Sequence, residues 1–289
     1  VVGMNGFHSY FVTPKVRQGK VRFAKFELLT WVASAVQWKK LYGGLDFITD
    51  ADGLQVISKL GLGGLYDSIK VLDTPFKKIN PSVFWAAGKI VAMKHYVGFE
   101  DVYSVDTDCI LWKHMKQKSG LALVGLNYDN PEFYKVVTER YRDDLKGWGL
   151  NNKPINAAIL GFNGYCGDGS LLDVFTSVSL RFMETVSRRD NLDSASMIFA
   201  EQKLSAEVCS QMGLDYGVLC HVDASTGYHI ECGDIPYITH LWDTKDTYRQ
   251  SESRRNAYIS WLNDRVCSGL GRAKPIWEKI YNLNDIVEV

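Results

Sequence analysis

Short apolar runs alternate with stretches of helical spacing over the first hundred residues, and this alternation narrows what the chain can fold into. Residues 7–12 (FHSYFV), 45–49 (LDFIT), 68–72 (SIKVL) and 102–105 (VYSV) read as strands, being rich in β-branched and aromatic side chains. Residues 22–42 place Phe26, Leu29, Val32, Ala33, Val36 and Leu41 on or near one helix face, and Gly43 and Gly44 stop the run. Residues 54–60 and 83–96 read as two more helices. Strands separated by helices predict an α/β domain, a Rossmann-type, mostly parallel sheet flanked by helices. Further on, strands are expected at 121–125, 154–161 and 216–221, with segment 233–242 after them. Helices are expected at 132–146, 171–186, 197–212, 247–267 and 275–281, which makes the C-terminal part helical. No repeat, low-complexity segment or clear linker interrupts the 289 residues, so they are read as one domain.

The strand at 102–105 runs directly into Asp106-Thr107-Asp108 and then into the apolar Cys109-Ile110-Leu111-Trp112. Carboxylates taken out of water have to be paired or neutralised. Residues i and i+2 of a strand face one side, so strand geometry carried to its end would aim Asp106 and Asp108 at one spot. Two hard oxygen ligands suit Mg²⁺ or Mn²⁺, which take further ligands from water and substrate phosphates. A plainer alternative is an exposed Asp-rich turn; the apolar strand before it weighs against that. In an open α/β sheet, ligands sit outside the carboxyl ends of the strands. Asp50 and Asp52 fall at such an end, as does the basic loop holding Lys15 and Arg17. Those two side chains are candidates to contact a nucleotide.

Composition excludes more than it assigns. Lys plus Arg and Asp plus Glu both number 33, so the global charge gives no support for a dedicated nucleic-acid binder. The six cysteines stand at 109, 166, 209, 220, 232 and 267, with no C-x-x-C pair that would suggest a zinc or thioredoxin-type site. No signal peptide or bilayer-length apolar run is read, and free thiols fit a reducing compartment. The expectation is a cytoplasmic protein, bacterial or in a phage-infected host cell, without a membrane span.

With these motifs in place, the chain resembles the GT-A class of nucleotide-sugar glycosyltransferases, in poorly characterised bacterial and phage-type members distantly like the family-8 group. Four stretches carry the likeness: FWAAGKI with Trp85, Gly88 and Lys89; VYSVDTDCILW; NAAILGFNG from Asn156; and THLWDTK, holding His240 and Lys245. Ala158 stands where the class favours Gly, and Trp242-Asp243 replaces the expected residues of the last motif.

The resemblance implies a nucleotide-binding half over about residues 1–125 and an acceptor half over about 126–289. It implies hexosyl or pentosyl transfer from a nucleoside diphosphate sugar, a UDP-sugar first, with Mn²⁺ or Mg²⁺. Asp108 would be a direct metal ligand, Asp106 would share the metal or bind the donor ribose, and His240 would be a third ligand. Lys245 would pair with the diphosphate. Lys89, beside Trp85, would reach the donor or hold the D-x-D carboxylates, and Asn156 would line the acceptor side; Asp50, from its place at a strand end, is a further candidate to face the cofactor. Glu201 or Asp168 would take the acceptor proton if the reaction inverts configuration. Implied acceptors are a glycan, a protein or a hydroxymethylated DNA base. Two other readings share the fold: a nucleotidyltransferase, and a non-catalytic carbohydrate- or protein-binding module.

Overall fold

The computed structural model describes residues 5–15, 21–115, 120–145, 148, 150–164, 169–189, 193–220, 229–232, 235–242 and 244–289. A seven-stranded sheet has the order β4-β3-β1-β5-β8-β7-β9. Its strands are β1 (Asn5–Tyr10), β3 (Leu45–Thr49), β4 (Ser68–Val71), β5 (Val102–Val105), β7 (Leu123–Gly125), β8 (Ile159–Phe162) and β9 (Tyr216–Val218). The pairs β4–β3, β3–β1, β1–β5 and β7–β9 are parallel, whereas β8 runs antiparallel to both β5 and β7. This is the expected mixed, mostly parallel sheet, and it takes strands from both halves of the chain.

Two apolar cores form because successive strand residues face opposite sides. Tyr103, Val105 and Ile159 join the core with α1 (Lys25–Tyr42), α2 (Ala51–Leu60), α9 (Glu252–Val266) and α10 (Lys274–Tyr281). Val102, Leu160 and Phe162 join the other, with α3 (Ala87–Lys94), α4 (Pro131–Tyr141) and α5 (Leu171–Val186). Helix α1 is apolar most of the way round, as a helix enclosed by other elements should be; Phe26, Trp31 and Trp38 are all buried. Local chemistry starts several helices. Asp50 caps α2 by accepting from the Gly53 amide at 2.8 Å, and Ser170 and Asn130 cap α5 and α4 in the same way.

Several boundaries differ from expectation, each through a contact distant in sequence or a local cap. The helix expected at 22–42 loses its first turn because β2 (Arg22–Ala24) pairs with β12 (Ile286–Glu288), near the end of the chain. The helix expected at 247–267 is two, α8 (Lys245–Gln250) and α9, since the Ser251 hydroxyl accepts from the Arg254 amide and restarts it. The one at 197–212 is α6 (Ala195–Ile198), a π-helical turn at Phe199–Lys203, and α7 (Leu204–Gln211). Of the strand expected at 154–161, Ile155 makes a single antiparallel bridge to Tyr128 and the continuous strand is Ile159–Phe162, because the residues between them turn around Asn156. Finally, β6 (Cys109–Leu111) leaves the main sheet to join β10 (His229–Cys232) and β11 (Ile235–His240) in the order β10-β11-β6.

One buried titratable group links this fold to pH. His8 on β1 is 0 % exposed, with ring nitrogens 3.0 Å from the Tyr66 hydroxyl and 3.1 Å from Ser34 Oγ. Burial pulls its pKa down to about 3, with Asp108 opposing. The unfolded chain titrates near the ordinary histidine value of about 6.5. Between those two values the unfolded state binds more protons, so stability rises with pH there and is complete above the upper one. Acidification to pH 5 should cost about 2 kcal/mol through this residue alone. Urea midpoints measured from pH 7.5 to 5 should fall accordingly, and the slope should flatten in His8→Asn. An unchanged slope in that variant would discard His8 as its source.

Candidate active site

The D-x-D segment is not the strand end expected from alternation. β5 stops at Val105, and Asp106 to Cys109 form a tight turn closed by the Cys109 amide on the Asp106 carbonyl at 3.0 Å. The turn brings the two carboxylates together where a continued strand was expected to. Two further backbone bonds fix it: the Asp106 amide donates to the Ala158 carbonyl at 2.8 Å, and the Leu241 amide donates to the Asp108 carbonyl at 3.2 Å. The second bond, with the register of Cys109 opposite His240 on β11, delivers His240 to the same point. One ligand atom from each of Asp106, Asp108 and His240 lies within 4.8 Å of the others.

Two lysines neutralise these carboxylates. Lys245, at the start of α8, pairs with Asp108 Oδ2. His240 Nε2 is 3.9 Å from Asp108 Oδ1. Burial alone would raise the pKa of Asp108, but Lys245 and His240 outweigh it and hold the carboxyl well below the usual range. Burial keeps His240 below its ordinary value despite the two aspartates, and a neutral imidazole is the form that ligates metals.

Lys89 is the second cation. It lies on α3, 7 % exposed, with Nζ 2.7 Å from both Asp106 Oδ1 and Glu201 Oε1. It also donates to the Ala157 carbonyl. Gly88 permits this approach, since a Cβ there would stand 2.3 Å from the Phe11 ring. Asn156 prepares the opposite wall: its side-chain oxygen accepts from the Ala158 amide at 2.9 Å. That turn sets the carbonyls of Ala157 and Ala158 to meet Lys89 and the Asp106 amide. Glu201 comes from the π-helical turn, a distortion frequent at functional sites. Burial pushes its pKa up; Lys89 opposes and Asp106 adds to the rise.

All of these groups line one cavity of about 720 Å³, along with Trp85. Among the sequence candidates it therefore unites Asp106, Asp108, His240, Lys245, Lys89, Glu201, Asn156 and Trp85. Asp50 is a correction. Among the described residues it does not line the cavity, and its carboxylate accepts from the Val12 and Gly53 amides, closing a loop and capping α2. Arg17 and Asp168 lie outside the described residues, and for Lys15 only the backbone is described, in a short 3-10 turn.

Sequence reasoning missed Arg22, Trp31, Asp129, Gln202 and Arg249, which also line the cavity. Arg22 read as the first residue of a helix, and Arg249 fell inside the helix expected at 247–267 with nothing to single it out. Asp129 lies just before the helix expected at 132–146, where no local pattern singles it out. It accepts from the Asn130 amide at 2.8 Å and from the Tyr134 hydroxyl at 2.8 Å. Only Gln202, adjacent to Glu201, stood next to a recognised candidate.

Comparisons with known proteins come from three directions. A model of a family of unknown function (DUF6734) matches residues 13–241. No curated protein matches the chain. Among solved structures, apo mouse xyloside xylosyltransferase 1 is similar over 83 % of this chain and 98 % of its own, at 13 % identity and a TM-score of 0.44. Galactosyltransferase LgtC in complex with donor and acceptor sugar analogs is similar over 97 % of this chain and 96 % of its own, at 10 % identity and a TM-score of 0.47. An active-site mutant of LgtC gives 82 % and 86 %, 9 % identity and a TM-score of 0.44. Likenesses of this size do not bear on activity, which has to be judged from the residues of the cavity.

Proposed function

We propose that this chain, which belongs to the DUF6734 family of unknown function, is a metal-dependent glycosyltransferase that moves a sugar from a nucleotide-sugar donor to an acceptor hydroxyl. The observation that carries the reading is the convergence of Asp106, Asp108 and His240 in one cavity with Lys245 against them. Two carboxylates and an imidazole suit a divalent ion of intermediate hardness, Mn²⁺ before Mg²⁺. Such an ion, when bound, acts as a Lewis acid on the charge that builds on a departing diphosphate.

The chain's own residues divide the remaining work. Lys245 sits where it can leave Asp108 for a diphosphate oxygen, serving as a compact point charge. Lys89 holds Asp106 in place and balances its charge together with that of Glu201. Trp85 offers an aromatic wall for a sugar or base. Glu201 and Asn156 face the cavity from the second half of the chain, on the side assigned to the acceptor.

Thermal shift with Mn²⁺ across UDP, GDP, CDP and ADP tests this directly. The expected result is a rise in melting temperature for one nucleotide, with UDP the first candidate, that depends on the metal. Stabilisation follows ligand concentration over Kd, so a ligand at a hundredfold its Kd contributes about 2.7 kcal/mol. If no nucleotide stabilises the protein with any divalent ion, the transferase reading fails and the binding-module alternative takes its place.

A further inference from the structure

His8 does not line the cavity, yet its hydrogen bonds lead to the D-x-D turn. Ser34 on α1 donates its hydroxyl proton to the Cys109 carbonyl at 2.5 Å. A carbonyl only accepts, so the Ser34 oxygen accepts from His8, and Nε2 of the ring carries the proton. Nδ1 is then bare and accepts from the Tyr66 hydroxyl. The Tyr66 oxygen accepts in turn from Trp31 Nε1, which can only donate. Each link therefore has one direction, and neutral His8 is the form that completes the chain. His8, Ser34, Tyr66 and Trp31 are all buried, so water is a poor substitute for any missing member.

The far end of this chain is the Cys109 carbonyl, on the residue whose own amide closes the D-x-D turn. Cys109 directly follows Asp108, closes the turn on the Asp106 carbonyl, and stands opposite His240. The near end, Trp31, lines the cavity.

We propose that His8 is a positioning residue for the Asp106–Asp108–His240 site: through Ser34 it fixes the carbonyl of Cys109, the residue that closes the turn, and through Tyr66 it ties that carbonyl to the Trp31 wall of the cavity. The inference rests on reading those three residues as a cation site, and its test separates the two ideas.

Ser34→Val and Ser34→Thr have the same shape and differ by the hydroxyl, so crowding at this buried position is common to both. His8→Phe keeps a ring without either nitrogen. Val266→Ala, at the buried C-terminal end of α9, serves as a general loss of core packing that leaves every hydrogen bond of the His8 network in place. Mn²⁺ affinity by electron paramagnetic resonance titration and amide exchange over residues 102–112 are measured on each, beside the wild type and Asp108→Ala. Ser34→Val and His8→Phe should bind Mn²⁺ about tenfold more weakly than Ser34→Thr, roughly the 1.4 kcal/mol of one hydrogen bond. Their 102–112 segment should also exchange faster. Val266→Ala should lower the melting temperature and leave both readouts unchanged.

If Ser34→Val matches Ser34→Thr in affinity and exchange, the proposal is overturned. If Ser34→Val differs and His8→Phe does not, the role belongs to Ser34 and the assignment to His8 is overturned. Should the wild type bind Mn²⁺ no better than Asp108→Ala, the cation reading falls. Exchange then decides the positioning: faster in both variants supports it, unchanged overturns it.

Discussion

On the proposed function, Asp108→Ala is expected to abolish metal-dependent nucleotide binding and to reduce sugar transfer at least about a thousandfold, equivalent to about 4 kcal/mol in the barrier. The expectation follows from where this carboxylate stands. It touches Lys245, lies beside His240, and is 13 % exposed, so little water can replace it. Its pKa is held below the usual carboxylate range, so it is charged at any working pH and needs to lose no proton to take a cation. The same depression has a consequence for stability. A carboxylate whose folded pKa is lowered stabilises the fold above its unfolded value, near 3.9, and that contribution fades as pH falls below it. Asp108→Asn keeps the shape and removes the charge, so it should lose metal binding as fully as alanine does. Mn²⁺ titration, with and without nucleotide, measures this. Binding by Asp108→Asn at wild-type strength would mean that the charge is irrelevant and the turn is only structural.

The second large effect is on folding. Lys89→Met should lower unfolding stability by about 3–5 kcal/mol, the usual result of removing one member of a buried ion pair. Nearly all of this comes from Glu201, whose side chain is 10 % exposed; Asp106, at 37 %, is partly screened by water and adds less. In the wild type the two carboxylates raise the lysine pKa despite its burial, so Lys89 is firmly charged. Without it, burial and Asp106 drive Glu201 toward its protonated form. The variant should then gain stability relative to the wild type on mild acidification, because its folded state takes up a proton that the unfolded state holds only at lower pH. Lys89→Met combined with Glu201→Gln should recover part of the loss, since the charge left without its partner is then only that of the partly exposed Asp106. Urea unfolding of the wild type, Lys89→Met, Glu201→Gln and the double variant at pH 7.5 and 5.5 gives the eight values needed. Additive losses in the double variant would show that Lys89 and Glu201 do not act as a pair.

Both effects concern residues that were visible before the fold was known, Asp108 and Lys89. Their partners differ in that respect. The D-x-D pair stood out locally, as charged residues following an apolar strand, and the sheet could be read from strand and helix periods within a few residues. His240 and Lys245 came from resemblance, and register then brought them in: Cys109 pairs opposite His240 across more than a hundred residues of chain. The reason first given for the convergence of Asp106 and Asp108 was mistaken. A turn closed by Cys109 joins them, because β5 ends one residue before the motif.

Local pattern determined the alternating α/β architecture and the candidate carboxylates, because periodicity and the cost of burying charge act over a few residues; the lysine of α3 came from the resemblance. Tertiary structure alone decided the rest. It assigned Asp50 to a helix cap, put Arg22 in a strand with the end of the chain, and placed Asp129 and Arg249 in the cavity. It also linked His8 to Cys109 through a helix hydroxyl. A hydrogen bond or ion pair between distant segments leaves no period in the sequence. Its donor and acceptor are ordinary polar residues until packing excludes water and makes each the other's required partner.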